Sequence, residues 1–211
     1  MPTPPPSPIA GGDVTANATP IPATSIFPSL NPLNQAQVKK KINKAKEDAI
    51  AMRNELWPAV GEEKLWLLSD KTKKGFSSLP RTMPLLINII ADASKQVSKK
   101  SIPAGKAYLV LWCRVFGEAF VKVDNEMIFA AEAGYASERS ISTWREHLRV
   151  LKDLGFIDYK AGPGGPMYYV LLLNPYHVVK NLRAQEWMSE IAYTSFLQRA
   201  MDIGATADLT Q

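Results

Sequence analysis

The chain has 211 residues, 46% of them apolar, and a formal net charge of +5, which allows one domain with appendages, or two small ones, around a real core. Its single cysteine, Cys113, excludes an internal disulfide and a cysteine-based zinc site, and its two histidines, His147 and His177, lie too far apart in sequence to suggest a metal site. No apolar run reaches the roughly 20 residues that span a bilayer, and the start lacks the basic and apolar parts of a secretory signal, so a soluble, cytoplasmic chain with no cofactor, no metal and no membrane partner is expected.

The charge is unevenly spread. Segments 1–33, 34–100, 101–180 and 181–211 carry −1, +7, +1 and −2. A nucleic-acid partner would therefore have to use the basic segment or a few well-placed arginines.

Residues 1–33 hold nine prolines and almost no charge. Proline removes backbone donors and fixes φ, so this arm is expected to be disordered and partly polyproline II. It is read as a plain tail, with a proline-rich ligand for a protein partner as the alternative. Over 34–57, Val38, Ile42, Ala45, Ala49, Met52 and Leu56 recur at spacings of four and three, which predicts a helix with one apolar stripe. Pro58 ends it. Lys39, Lys40, Lys41, Lys44 and Lys46 crowd its first half. Two readings stay open: a solvated basic face on a helix packed against its own domain, or a dimerising helix whose lysines meet phosphates.

Segment 58–100 reads as a basic loop and a helix preceding the core. Lys71, Lys73 and Lys74 beside Gly75 suggest a basic loop or short strand, and Pro84 starts a helix that runs to about Val97. The next predicted helix, 103–117, is apolar nearly all round and should be central, with Cys113 as a buried small side chain. A short strand is expected over 119–123, a helix over 125–133, a turn at Gly134, a helix over 138–154 and a strand over 156–160. A glycine-proline tip over 162–166 and a strand over 167–173 complete a hairpin. Asn174-Pro175 reads as a turn, and 184–203 as a final helix in the 181–211 segment.

The order helix, strand, helix, helix, strand, tip, strand over 101–180 resembles the winged helix-turn-helix family of DNA-binding domains. The strongest match is Trp144, Leu148, Leu151, Leu154, Gly155, Phe156 and Ile157. Many bacterial repressors and replication initiators end their recognition helix with this cadence. The fold class expected is mainly α with a small β-hairpin, flanked by N- and C-terminal helices. Ser137 and Ser140 both suit the helix cap, which leaves the register of the recognition helix open by about one turn.

The resemblance implies that helix 138–154 enters the major groove. Arg139, Ser142, Thr143 and Arg145 are then the base-contacting residues. Arg149, Lys160, Lys39, Lys40, Lys41, Lys71, Lys73 and Lys74 meet the DNA backbone, and Gly162, Gly164 and Gly165 form the wing. No catalytic constellation rises from the sequence, so no enzyme is expected, and His147 and His177 read as structural. The implied role is sequence-specific double-stranded DNA binding, as a homodimer. The context is transcriptional regulation on a bacterial plasmid or mobile element, in the nucleoid- or plasmid-associated cytoplasm. The alternatives are a replication or partition accessory, and a protein-interaction module that never touches DNA.

Overall fold

The computed structural model describes residues 35–61, 64–65, 67, 75, 77–115, 119–206 and 209. The proline-rich arm and Lys71, Lys73 and Lys74 lie outside them. The described part is mainly helical, with seven helices and a three-stranded antiparallel sheet among the described residues. No described helix is long and apolar enough to cross a membrane.

Helix α1 spans Gln35–Leu56, as the spacing predicts. The described side chains of its apolar stripe, Ala45, Ala49, Met52 and Leu56, are however exposed. Side chains 43–52 are all exposed, and Met52, Leu56 and Trp57 are each about 60% exposed. The described side chains of α1 thus give the packed-helix reading no support. Two of the six stripe positions are alanine, which bury too little area to hold a helix down.

Helix α2 (Met83–Ser98) carries Pro84 in its first turn, where a missing N–H costs nothing. It buries Leu86, Ile90 and Ala93 completely, so it belongs to the core rather than preceding it. Helix α3 (Gly105–Cys113) packs against α2, α4 and α5, the central place that its all-round apolar surface predicts. It is shorter than 103–117. Because it ends at Cys113, that residue falls on the rim and is exposed, contrary to expectation.

Strand β1 (Phe120–Lys122) leads to α4 (Glu126–Glu132). Asn125 caps α4 by accepting from the N–H groups of Met127 and Ile128 at 3.0 and 3.4 Å. Asn125→Ala should cost about 0.5–2 kcal/mol, seen as a lower urea midpoint with an unchanged slope. After a turn at Gly134 comes α5 (Ser140–Asp153), the most intimate partner of α4 among the helices. Trp144, Leu148 and Leu151 on α5 are fully buried and His147 and Val150 nearly so. Neither serine caps α5. The Ser140 N–H bonds the Ser137 carbonyl at 2.9 Å, making a tight turn just before the helix, so Arg139 holds the cap position with no side-chain cap bond. The helix thus begins two residues later than 138. At its other end Gly155 takes φ +84, the left-handed conformation that lets the chain turn into a strand.

Strands β2 (Ile157–Gly162) and β3 (Gly165–Leu172) form the hairpin, and β3 lies between β1 and β2. The tip is tighter than 162–166. Gly162 pairs with Gly165, leaving a two-residue turn at Pro163-Gly164. A bulge follows, as the register shifts between Lys160 and Gly162. It explains why Met167 and Tyr168 are buried in succession.

The C-terminal region also differs from expectation. Asn174-Pro175 starts a helix, α6 (Pro175–Ala184), with Asn174 accepting from the Tyr176 N–H at 3.0 Å and Pro175 at the first helical position. The single helix 184–203 is interrupted at its start. Glu186 adopts φ +58, and α7 (Glu190–Asp202) begins only after Ser189 caps it through the Ala192 N–H. Phe196 and Ala200 of α7 are fully buried, so this helix is part of the core. Aromatic pairs tie the layers together: Tyr108 on Phe156 at 5.2 Å, Phe129 on Trp144 at 5.7 Å and Tyr176 on Phe196 at 5.4 Å.

Candidate nucleic-acid interface

Helix α5 buries one side and turns the other outward. Arg139, Ser142 and Arg149 are exposed, while Thr143 and Arg145 are half-buried. Positions 142, 145 and 149 follow the three- and four-residue spacing that puts them on one face, with Arg139 at its leading end. The Ser142 hydroxyl donates to the Arg139 carbonyl at 2.8 Å, which pins the first turn and leaves its lone pairs outward. Arg139 and Arg149 form no ion pair among the described residues.

Arg145 is held differently. Its Nε donates to Glu126 Oε2 at 2.9 Å and its Nη2 to the same oxygen at 2.5 Å. The Glu126 side chain is 9% exposed and that of Arg145 37%. The carboxylate holds the guanidinium pKa above its ordinary value. This link joins the first turn of α4 to the middle of α5, and sequence reasoning missed Glu126. The partners are 19 residues apart, so no helical spacing could reveal them.

The hairpin sits beside this pair. A Cβ on Gly165 would stand 3.9 Å from the Glu126 carboxylate, and one on Gly164 would stand 3.5 Å from the Asp124 carbonyl. A Cβ at Gly162 or Gly164 would also run into the Tyr168 ring. The glycines of the tip are thus what allow Tyr168 to lie against the turn. The structure brings together the start of α4, the middle of α5 and the hairpin tip, including Gly162, Gly164, Gly165 and Arg145.

Other expected residues are dispersed. Lys160 is exposed on β2, and Lys40 and Lys41 are exposed on α1. Lys39 lies on the same helix. Acids temper the region. Lys100 pairs with Glu146 at 3.2 Å and Lys152 with Asp158 at 2.7 Å. Lys152 holds the Asp158 carboxyl below its usual value, as Arg114 does for Glu132.

His147 is buried on the inner side of α5, and its Nδ1 lies 2.6 Å from the Tyr135 hydroxyl. Burial pushes the Tyr135 hydroxyl up to about 12. Burial also lowers the imidazole below its ordinary value of 6.5; Glu146 opposes that shift and Lys100 adds to it. The folded state therefore prefers neutral His147. Stability is constant above the unfolded pKa and falls as pH drops below about 6.5, until the folded pKa is passed. Melting temperature should be level from pH 8 to about 7 and decline from about 6.5 to 5. His147→Gln should flatten that decline, which a pH series of thermal melts checks.

No group of three or more His, Cys, Asp or Glu that could hold a metal occurs among the described residues. A groove of about 410 Å³ runs between α2 and the α6–α7 junction, lined by Ile89, Trp187 and Met188 together with Asp92 and Lys95. Those two charges neutralise each other at 3.0 Å. Comparison with family models, with curated proteins and with solved structures finds no match.

Proposed function

We propose that this chain binds double-stranded DNA as a winged helix-turn-helix protein, without enzymatic activity. The observation that carries the reading is the outward face of α5. Arg139, Ser142 and Arg149 lie there uncompensated, beside the tip of a short hairpin. The order α3, β1, α4, α5, β2, β3 supports it, since that family runs helix, strand, helix, helix, strand, wing, strand. In this reading α5 enters the major groove, where Arg139 and Arg145 read base edges, Ser142 and Thr143 take a base or a phosphate, and Arg149 and Lys160 meet the backbone. The Gly162–Gly165 wing lies on the flanking backbone or minor groove. Lys39, Lys40, Lys41, Lys71, Lys73 and Lys74 supply the charge that residues 101–180, at +1, lack.

The chain acts as a homodimer in this proposal. Its α1 stripe repeats at spacings of four and three, as in a coiled coil, and is uncovered at Met52 and Leu56. A second copy would bury it. Transcriptional control on a bacterial plasmid or mobile element is the role proposed, and replication or partition is the alternative.

Affinity for a duplex pool, measured against salt, tests the reading. The logarithm of affinity should fall with the logarithm of salt by roughly 0.9 per phosphate contacted. Arg149→Ala should lower that slope by about 1 and weaken all sequences alike. Failure to bind any duplex at low salt removes the proposal. Light scattering of Met52→Glu/Leu56→Glu beside the parent chain tests the dimer: the parent should have twice the variant's mass.

A further inference from the structure

The sheet has an outer face that the core does not use. Residues two apart on a strand share a face, and directly paired residues share it across strands. On β1, Phe120 and Lys122 stand opposite Leu171 and Tyr169 of β3. On β2, Asp158 and Lys160 pair with the same two residues from the other side. Two cross-strand rows result: Phe120, Leu171, Asp158 and Lys122, Tyr169, Lys160. Phe120 is 40% exposed, Tyr169 38% and Leu171 46%. Both lysines of the second row are exposed.

The two rings are arranged as a pair. Their centroids lie 6.0 Å apart with planes inclined by 25°. A Cβ at Gly162, the next outward position on β2, would stand 2.8 Å from Tyr169 Cε2. The missing side chain is what leaves room for the ring there. Strands about 4.8 Å apart put Lys122 and Lys160 about 10 Å from each other, with Tyr169 between them. The only acid in these rows, Asp158, is neutralised by Lys152 at 2.7 Å. Folding does not require outward rings, since Val121, Val170 and Leu172 already fill the inner face.

We propose that this face is a platform for a single strand of nucleic acid, with bases stacking on Phe120 and Tyr169 and phosphates following Lys122 and Lys160. Every base has a π-face, so paired exposed rings flanked by cations bind single strands with little sequence preference. Charge selects this occupant. An apolar peptide would gain from Phe120 and Leu171 but would strip water from two ammonium groups without neutralising them, Lys122 lying 5.4 Å over the Tyr168 ring, whereas a polyanion neutralises both. A duplex hides its base faces in the stack. The platform needs neither Arg139 nor Arg149 and shares only Lys160 with the duplex reading of α5, so the two are separable at the rings.

The test uses the full chain, a fluorescein-labelled dT oligomer and a duplex of equal length, followed by anisotropy at low salt. The parent chain should bind dT. Phe120→Ala/Tyr169→Ala should weaken dT binding at least about tenfold while changing duplex binding less than about twofold, with the melting temperature showing that the fold survives. Phe120→Tyr should retain dT binding. Tyr169→Trp should give an emission that dT quenches as a base stacks on the indole. No dT binding by the parent, undiminished binding by the double alanine variant, or equal losses on dT and duplex would each overturn the platform. So would a dimer that the double variant splits while dT affinity stays unchanged, because the face would then belong to a second copy.

Discussion

Trp144→Ala should lower the unfolding free energy by about 3–5 kcal/mol. The indole is fully buried at the centre of α5 and packs on the Phe129 ring at 5.7 Å, so it joins α4 to α5. Phe129 is itself buried and carries the Arg114 guanidinium 4.5 Å above its ring, with Arg114 paired to Glu132. Alanine would open a cavity that this layered contact cannot collapse into. Domains of this size are stable by about 5–15 kcal/mol in total, so a large share is at stake. Trp144→Phe should cost much less. It keeps most of the ring and removes an Nε1 that is buried without a hydrogen-bond partner among the described residues. Urea unfolding distinguishes the two through their midpoints. An unchanged midpoint for the alanine variant would mean that this ring does not hold α4 to α5.

Arg145→Ala should have two effects at once. It removes a cation that the proposed duplex reading places in the groove, which on that reading should cost about 1–3 kcal/mol on the preferred duplex. It also strands the Glu126 carboxylate, whose side chain is 9% exposed. Because the Arg145 end is over a third exposed and partly screened, the stability loss should be only about 1 kcal/mol. A double-mutant cycle with Glu126→Gln separates the two effects. Coupling in the melting data reports the ion pair. Duplex affinity that falls in Arg145→Ala yet holds or rises in Glu126→Gln reports the groove contact. Equal losses in both single variants would assign Arg145 to positioning of α5, with no contact to bases.

What the sequence made legible was set by the range of each interaction. The α5 stripe, the Gly155 stop and the central place of α3 are local patterns, and all three are present. The α5 start was ambiguous because Ser137 and Ser140 both have capping chemistry. A four-residue turn from Ser137 to Ser140 decided the matter, and neither hydroxyl caps. Asn174-Pro175 suits a turn and a helix start equally, since both use a proline-fixed φ after a capping side chain. The packing of Tyr176, Val178 and Val179 favoured the helix. Trp187, Met188 and Ile191 keep helical spacing, yet the first two fall in the link before α7 and Ile191 is 80% exposed. Cys113 was misplaced because burial was inferred from a helix that ran four residues past the end of the one formed. The Glu126–Arg145 link and the Phe120–Tyr169 pair were invisible, since each depends on tertiary placement or strand register rather than on spacing within one element.

The tight hairpin tip has a thermodynamic consequence. A loose five-residue tip, as 162–166 reads in sequence, would lose about 1–2 kcal/mol of backbone entropy per residue on being fixed against a partner. Here Gly162 pairs with Gly165 and the Tyr168 ring lies against the turn, so that ordering is complete before any encounter. Whatever meets this tip meets a preformed shape. Its affinity is spared several kcal/mol of ordering cost, and calorimetry of complex formation should show little of the entropy loss that accompanies a loop folding onto its target.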